Sequence, residues 1–268
     1  MFPSTLQLPP LGRVHRLGLA TRGNTSLHAD DVFRALDWGV NYLNWCGHDD
    51  GMREAIAQLG PRRSDIRIAV QLSARSADSA RRELDDKLTA LAVDSIDVVT
   101  YYYVESQEEW AEIIAPGGAA EALEAARQQG VIRSIGLTSH QRGLAAAWAE
   151  SGRLDLLMIR YNAAHRDIFP FTERLGMPVA AFTCLRWGKL LEPTPNDPAG
   201  FELPPAADWY RYALMHPAVS VALMAPNGSE ELDENLNRLS NWRELSAEEF
   251  KSLSEHGQRV RECAAYFP

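Results

Sequence analysis

Eight strand-like apolar runs alternate with amphipathic segments along this chain, and that alternation restricts the fold more than any single motif does. The runs are His15–Ala20, Asn41–Cys46, Arg67–Leu72, Ile96–Tyr103, Ser134–Thr138, Leu154–Tyr161, Pro178–Cys184 and Val219–Ala225. Several are continuously apolar, such as Val179-Ala180-Ala181-Phe182, as expected of parallel strands covered on both faces. Between them the spacing predicts helices over Leu27–Trp38, Asp78–Leu91, Ala119–Gln129, Arg142–Ser151, Ile168–Leu175 and Glu230–Arg238. Ser26 is placed to cap the first helix, and Gly39 and Gly130 end theirs. Ser246–Tyr266 reads as a final helix, with Ser246 and Glu249 spaced for a capping box.

Right-handed crossovers between parallel strands lead to a closed barrel or to an open, doubly wound sheet. Eight repeats favour the barrel, and no GxGxxG follows the first strand as a dinucleotide-binding sheet would require. The expected fold is therefore α/β, a (β/α)8 TIM barrel forming one domain over residues 1–268 with a C-terminal helix. The proline-rich stretch Glu192–Ala207 follows the seventh strand, where it serves either as a lid over the mouth or as an inert surface loop.

Composition narrows the partners. A net charge of −9 without a basic run argues against nucleic acid, which is held by Lys and Arg on phosphates. Three cysteines (Cys46, Cys184, Cys263) with no CxxC pair argue against a disulfide framework, a structural zinc site or an iron–sulfur cluster. No apolar run approaches the roughly 18 residues of a membrane span, and the N-terminal prolines interrupt any signal-peptide core. A cytoplasmic protein with a small-molecule substrate or ligand is the expectation.

Several segments together resemble the aldo-keto reductases. Asp37-Trp-Gly-Val-Asn-Tyr-Leu-Asn-Trp-Cys46 is similar to the stretch in which a glycine-led strand ends in Asp-Thr-Ala. Leu91-Ala-Val-Asp-Ser-Ile-Asp97 is similar to the family's "Leu-Gly-Val-Asp-Tyr-Ile-Asp". Gly130-Val-Ile-Arg-Ser-Ile-Gly-Leu-Thr-Ser139 resembles "Gly-Lys-Ile-Arg-Ala-Ile-Gly-Val-Ser-Asn". Tyr161-Asn162 matches "Tyr-Asn", and Glu234-Asn235-Leu236 matches "Glu-Asn-Leu", all in the family's order.

The resemblance implies carbonyl reduction by a nicotinamide cofactor at the barrel mouth. Its chemistry uses a tyrosine general acid, a lysine–aspartate pair that lowers the tyrosine's pKa, and a histidine that orients substrate. None of the four is kept. Asn44 stands at the aspartate position, Asp49 at the tyrosine position in a shortened loop, Gln71 at the lysine position and Tyr102 at the histidine position. Strand alternation sends Thr100 and Tyr102 to one face, so Tyr102 can present a phenol to the mouth.

On the cofactor side, Ser139 and His140 stand where the family contacts the nicotinamide amide, and Phe182 where a ring stacks on it. Gly188 fits the pyrophosphate loop. Asn227, Gly228 and Ser229 are placed to offer amides to a phosphate at a helix N-terminus. Glu234 and Asn235 match the adenine contacts. Glu231 replaces the arginine for a 2′-phosphate, and Met158 a strand-six glutamine, so NADH is favoured over NADPH.

Cys46, His48, Asp49 and Asp50 cluster after the second strand. They read either as a nucleophile or partial metal set, or as a cysteine beside a solvated turn, and no metal is assigned to them. Arg160, Asn162, Arg186 and Trp187 are candidate substrate contacts. An arginine ending an apolar strand requires an internal carboxylate or an anionic ligand. The leading reading is a divergent oxidoreductase of this superfamily acting on a small polar or anionic carbonyl compound. The alternatives are a non-redox barrel enzyme (acid–base or metal-assisted) and a non-catalytic ligand-binding protein.

Overall fold

The computed structural model describes residues 2–21, 26–165 and 176–263; the expected helix Ile168–Leu175 lies outside them. Eight parallel strands close into a barrel: β3 (Leu17–Ala20), β4 (Tyr42–Asn44), β5 (Arg67–Leu72), β6 (Ile96–Tyr101), β7 (Ile132–Ser139), β8 (Leu156–Arg160), β9 (Val179–Phe182) and β10 (Val219–Met224). They pair in sequence order, and β10 returns to β3 with Leu223 opposite Gly18. Alternate residues point inward. Ala20, Tyr42, Ala69, Val98, Leu156, Met158, Ala180, Val221 and Leu223 pack the lumen, while the other face of each strand packs beneath the helices.

The expected first strand, His15–Ala20, is instead two. An antiparallel hairpin, β1 (Thr5–Leu8) and β2 (Gly12–His15), precedes the barrel and ends at His15. The chain then bends at Arg16, because the His15 ring accepts the Leu17 N–H (3.0 Å). Arg16 in turn donates to the Leu214 and Val219 carbonyls (2.8 and 2.9 Å). The hairpin sets Leu11 and Val14 under the lumen, so the N-terminal end of the barrel is plugged.

The helices outside are α1 (Ala29–Trp38), α2 (Gly51–Ala57), α3 (Ala77–Leu91), α4 (Gln107–Ile114), α5 (Ala119–Gln128), α6 (Arg142–Ala149), α7 (Ala206–Leu214), α8 (Ser229–Leu239) and α9 (Ala247–Cys263). Of these, α2, α4 and α7 were not expected from spacing. The cap of α1 is His28 rather than Ser26: the Asp31 carboxylate reaches back to accept the His28 N–H (2.8 Å). The capping box at α9 forms as spaced, with Ser246 Oγ accepting from Glu249 N–H (3.2 Å) and Glu249 accepting from Ser246 N–H (2.6 Å). The proline-rich stretch is pinned to α9. Asp197 pairs there with His256 (3.0 Å) and Arg259 (2.7 Å), and Phe201 stacks on His256. Gly257 lets α9 close on the loop after β8, since a Cβ there would collide with Ala163.

Candidate active site

The C-terminal mouth opens into a cavity of about 610 Å³. Its floor is made by strand ends that include Ala20, Asn44, Gln71, Thr138, Met158 and Leu223. Barrel enzymes carry their chemistry at this end because the βα loops there are free to vary while the strands hold them.

Asn44 and Gln71 lie on adjacent strands and are buried. Gln71 Nε2 donates to Asn44 Oδ1 (2.7 Å) and also contacts Met158 Sδ (3.9 Å). Asn44 Nδ2 donates to Cys46 Sγ (3.4 Å). The pair is thus hydrogen-bonded and neutral, and it places no fixed charge in the floor.

The cluster after β4 separates. Cys46 and His48 line the cavity, but Asp49 turns outward, 83% exposed, and pairs with Arg53 (2.6 Å). Asp50 caps α2 by accepting the Arg53 N–H (3.0 Å). Cys46 is solvent-accessible, yet its sulfur is surrounded by protein on most sides; that burial, together with Asp50, pushes the thiol up to about 11. It is therefore protonated at neutral pH, which opposes a nucleophilic role. Among the described residues, no three His, Cys, Asp or Glu side chains converge to hold a metal ion.

At the end of β6, Thr100 is buried and accepts from the Thr138 hydroxyl (3.2 Å), while Tyr101 packs outward on Trp110. Tyr102 lines the cavity, and so does Tyr103, which alternation does not predict. Tyr103 takes a positive φ of 41°, swinging its ring to within 4.1 Å of the Tyr102 ring. Arg75 fixes this turn by donating to the carbonyls of Tyr102 (2.9 Å) and Tyr103 (3.2 Å). Burial and the Tyr102 hydroxyl push the Tyr103 phenol up to about 12, with Arg160 opposing. Behind it, His140 stacks on Tyr103 (4.3 Å) and pairs with Glu105 (3.2 Å). Burial first, then Arg160, lowers the His140 pKa, and Glu105 opposes them.

Two cavity residues escaped sequence reasoning because they come from the middle of α3. Lys87 sets its ammonium 5.4 Å from the Trp45 ring. Glu83, one helical turn earlier, accepts the Ser73 and Ala74 N–H groups (3.0 and 2.9 Å).

On the opposite side, Phe182, Gly188, Asn227 and Glu231 line the same cavity. Glu231 accepts both the Asn227 N–H (3.0 Å) and its side-chain amide (2.8 Å). Gly228 caps α8, and the Ser229 hydroxyl donates to Asp31 (2.8 Å). Ser139 is buried and accepts the Gln141 N–H (2.9 Å). Glu234 faces solvent and pairs with Arg238 (2.9 Å). Asn235 is buried, and its Nδ2 has no hydrogen-bond partner among the described residues.

Arg160 lies in the cavity wall with its guanidinium 5.8 Å from the Trp187 ring. Burial lowers it to about 10; Tyr103 opposes this, while Arg142 and Arg186 add to it. Trp187 lines the mouth and is 59% exposed. Arg186 is buried next to it but does not line the cavity. Asn162 is likewise buried, its amide donating to the Thr183 carbonyl (3.0 Å) and accepting the Ala164 N–H (3.0 Å), so it braces the loops after β8 and β9.

The aldo/keto reductase family profile matches residues 17–205, spanning the barrel from β3 to the start of α7. The chain belongs to the aldo/keto reductase family. A curated relative in Bacillus subtilis (strain 168), named "Uncharacterized oxidoreductase YqkF", is 25% identical over 90% of each chain. Among solved structures, the holo form of "aldo-keto reductase AKR11C1" from Bacillus halodurans superposes with a TM-score of 0.75 at 20% identity, covering 98% of both chains. An aldo-keto reductase from Klebsiella pneumoniae in complex with NADPH gives 0.76 at 19% identity over 96% of each chain. This aldo/keto reductase is thus an oxidoreductase by family, and its barrel mouth is where the family's chemistry is sought. No helix among the described residues is long and apolar enough to cross a membrane.

Proposed function

We propose that this protein is a nicotinamide-dependent oxidoreductase that acts on a small polar or anionic carbonyl compound, prefers NADH to NADPH, and uses a rebuilt proton donor. One observation carries the reading. A single cavity runs from Asn44, Gln71 and Tyr102 past Phe182 to Gly188, Asn227 and Glu231, joining the positions of chemistry to those of cofactor binding. The residues present fit the group. Phe182 offers a ring to the cavity, a Cβ on Gly188 would meet nothing within 4 Å, and Asn227 and Glu231 line the same space. Of two solved Klebsiella pneumoniae aldo-keto reductase structures similar to this chain, one is in complex with NADPH and the other with NADP and acetate.

A bound reduced nicotinamide would supply hydride to a carbonyl carbon. Tyr102 would hold a proton toward the carbonyl oxygen, the role a phenol plays in the family. The floor beneath it differs from the family's. The Asn44–Gln71 pair orients by hydrogen bonds and carries no cation to stabilise a phenolate. Glu231 sets the cofactor preference: a carboxylate repels a 2′-phosphate and can accept a bond from a ribose hydroxyl. Fluorescence titration with NADH and NADPH tests this. NADH is expected to bind about ten-fold or more tighter, a difference of about 1.4 kcal/mol, and Glu231→Arg should narrow the gap. Failure of both nucleotides to bind would overturn the reading.

A further inference from the structure

The most exposed large hydrophobic side chains among the described residues are Tyr102 (41%), Ile114, Trp187 (59%) and Leu203. Both aromatic ones line the same cavity. Apolar rings left open around one concave site mark a surface kept for a ligand.

The backbone points to the same place independently. Outside glycine, positive φ occurs among the described residues at Ala92, Tyr103, Thr183, Arg186 and Trp187. Ala92 ends a helix. Of the others, Tyr103, Thr183 and Trp187 line the cavity, and Arg186 adjoins Trp187. Such backbone is costly for residues with a Cβ and persists where the surroundings over-determine it, typically at ligand clamps. The restraints are visible here. Arg75 holds the carbonyls of Tyr102 and Tyr103, and Asn162 holds that of Thr183.

Between the two aromatic groups stands a cation. In barrel order β7 separates β6 from β8, yet the Tyr103 ring turned in from the end of β6 interacts electrostatically with Arg160 at the end of β8, whose guanidinium has the Trp187 ring 5.8 Å away on the side of β9. Arg160 is also in register with Phe182 on β9. Neighbouring strands are about 4.8 Å apart, which favours a ligand whose carbonyl sits close to the group that Arg160 holds. A guanidinium fork matches a planar carboxylate, and the rings match a flat conjugated substituent.

We propose that Trp187, Tyr102, Tyr103 and Arg160 form a clamp for an aryl 2-oxo acid, with the ring against the aromatic side chains and the carboxylate on Arg160. The placement of the carbonyl rests on the oxidoreductase reading above; the ring and carboxylate sites do not.

The test is calorimetric titration with benzoylformate, pyruvate and acetophenone, each with and without saturating NAD+, beside the nucleotide titration. Benzoylformate is expected to bind at least about ten-fold tighter than either fragment. Trp187→Ala and Arg160→Gln should each weaken it by about ten-fold or more. Lys87→Met, which removes the other cation on the cavity wall, should leave it within about two-fold. Trp187 is exposed, so its variant keeps the test alive if Arg160→Gln fails to fold, as circular dichroism would report. Pyruvate equal to benzoylformate overturns the ring site, and acetophenone equal to it overturns the carboxylate site. A loss at Lys87→Met matching that at Arg160→Gln overturns the assignment to Arg160. If nucleotide binds and benzoylformate does not, the clamp is refuted and the oxidoreductase reading stands. If benzoylformate binds and neither nucleotide does, the clamp stands and that reading falls.

Discussion

The two ends of this barrel solve opposite problems. At the plugged end, buried charge is matched: Asp97 is fully buried and meets Arg63 (2.9 Å), Arg133 (3.3 Å) and the Ile68 N–H (2.9 Å). His15 sits nearby against the edges of Trp38 and Trp242. At the mouth, residues hold positive φ and aromatic rings face water. The first end is built for stability. The second keeps backbone strain and exposed rings around its cavity, held there by Arg75 and Asn162.

If that division is right, substitutions at the plugged end cost more stability than those at the mouth. The largest effect is expected at Asp97. Asp97→Ala leaves Arg63 and Arg133 without their counter-ion and the Ile68 N–H without its acceptor, and should cost about 3 kcal/mol in denaturant unfolding; a loss below about 1 kcal/mol would mean the pairing is ornamental. Next comes His15, which burial lowers from 6.5 to about 4. The unfolded chain then binds the extra proton between those values, so stability is complete above pH 6.5 and falls as pH drops toward about 4. The loss should approach about 3 kcal/mol. Melting temperatures across that window, compared with His15→Leu, check the sign. The smallest effect is at the mouth. Trp187→Gly relieves a left-handed position at the expense of chain entropy, and should change stability by under about 1 kcal/mol, in the favourable direction. A clear destabilisation would erase the contrast between the ends.

The barrel was legible because its strands are apolar runs that hydrophobic period alone identifies. Arg67–Leu72 matches to the residue. What was missed is short or irregular. The hairpin hides because two prolines separate two four-residue strands, and neither strand alternates long enough to register. Helix α4 left a signal that went unused, the Ser106/Glu109 capping box. In the site, alternation led correctly to Tyr102 lining the cavity but not to Tyr103, because period-two reasoning assumes an extended backbone and the turn at Tyr103 breaks it. Counting along the family pattern put Asp49 at the chemistry. In the structure Asp49 is drawn outward to Arg53, an i,i+4 partner created by the start of α2. Lys87 and Glu83 could not be placed without knowing which face of α3 meets the mouth.

The hydrogen-bonded amides of Asn44 and Gln71 have a consequence for how this site senses its medium. A charged pair projects a field that falls slowly with distance and is damped by mobile ions; two dipoles act only on their immediate neighbours, inside the distance at which ions screen. Whatever Asn44 and Gln71 do for a bound molecule, they do by contact, and their contribution is indifferent to ionic strength. Sensitivity to salt at the mouth belongs instead to its charged side chains, Arg160 and Lys87 among them.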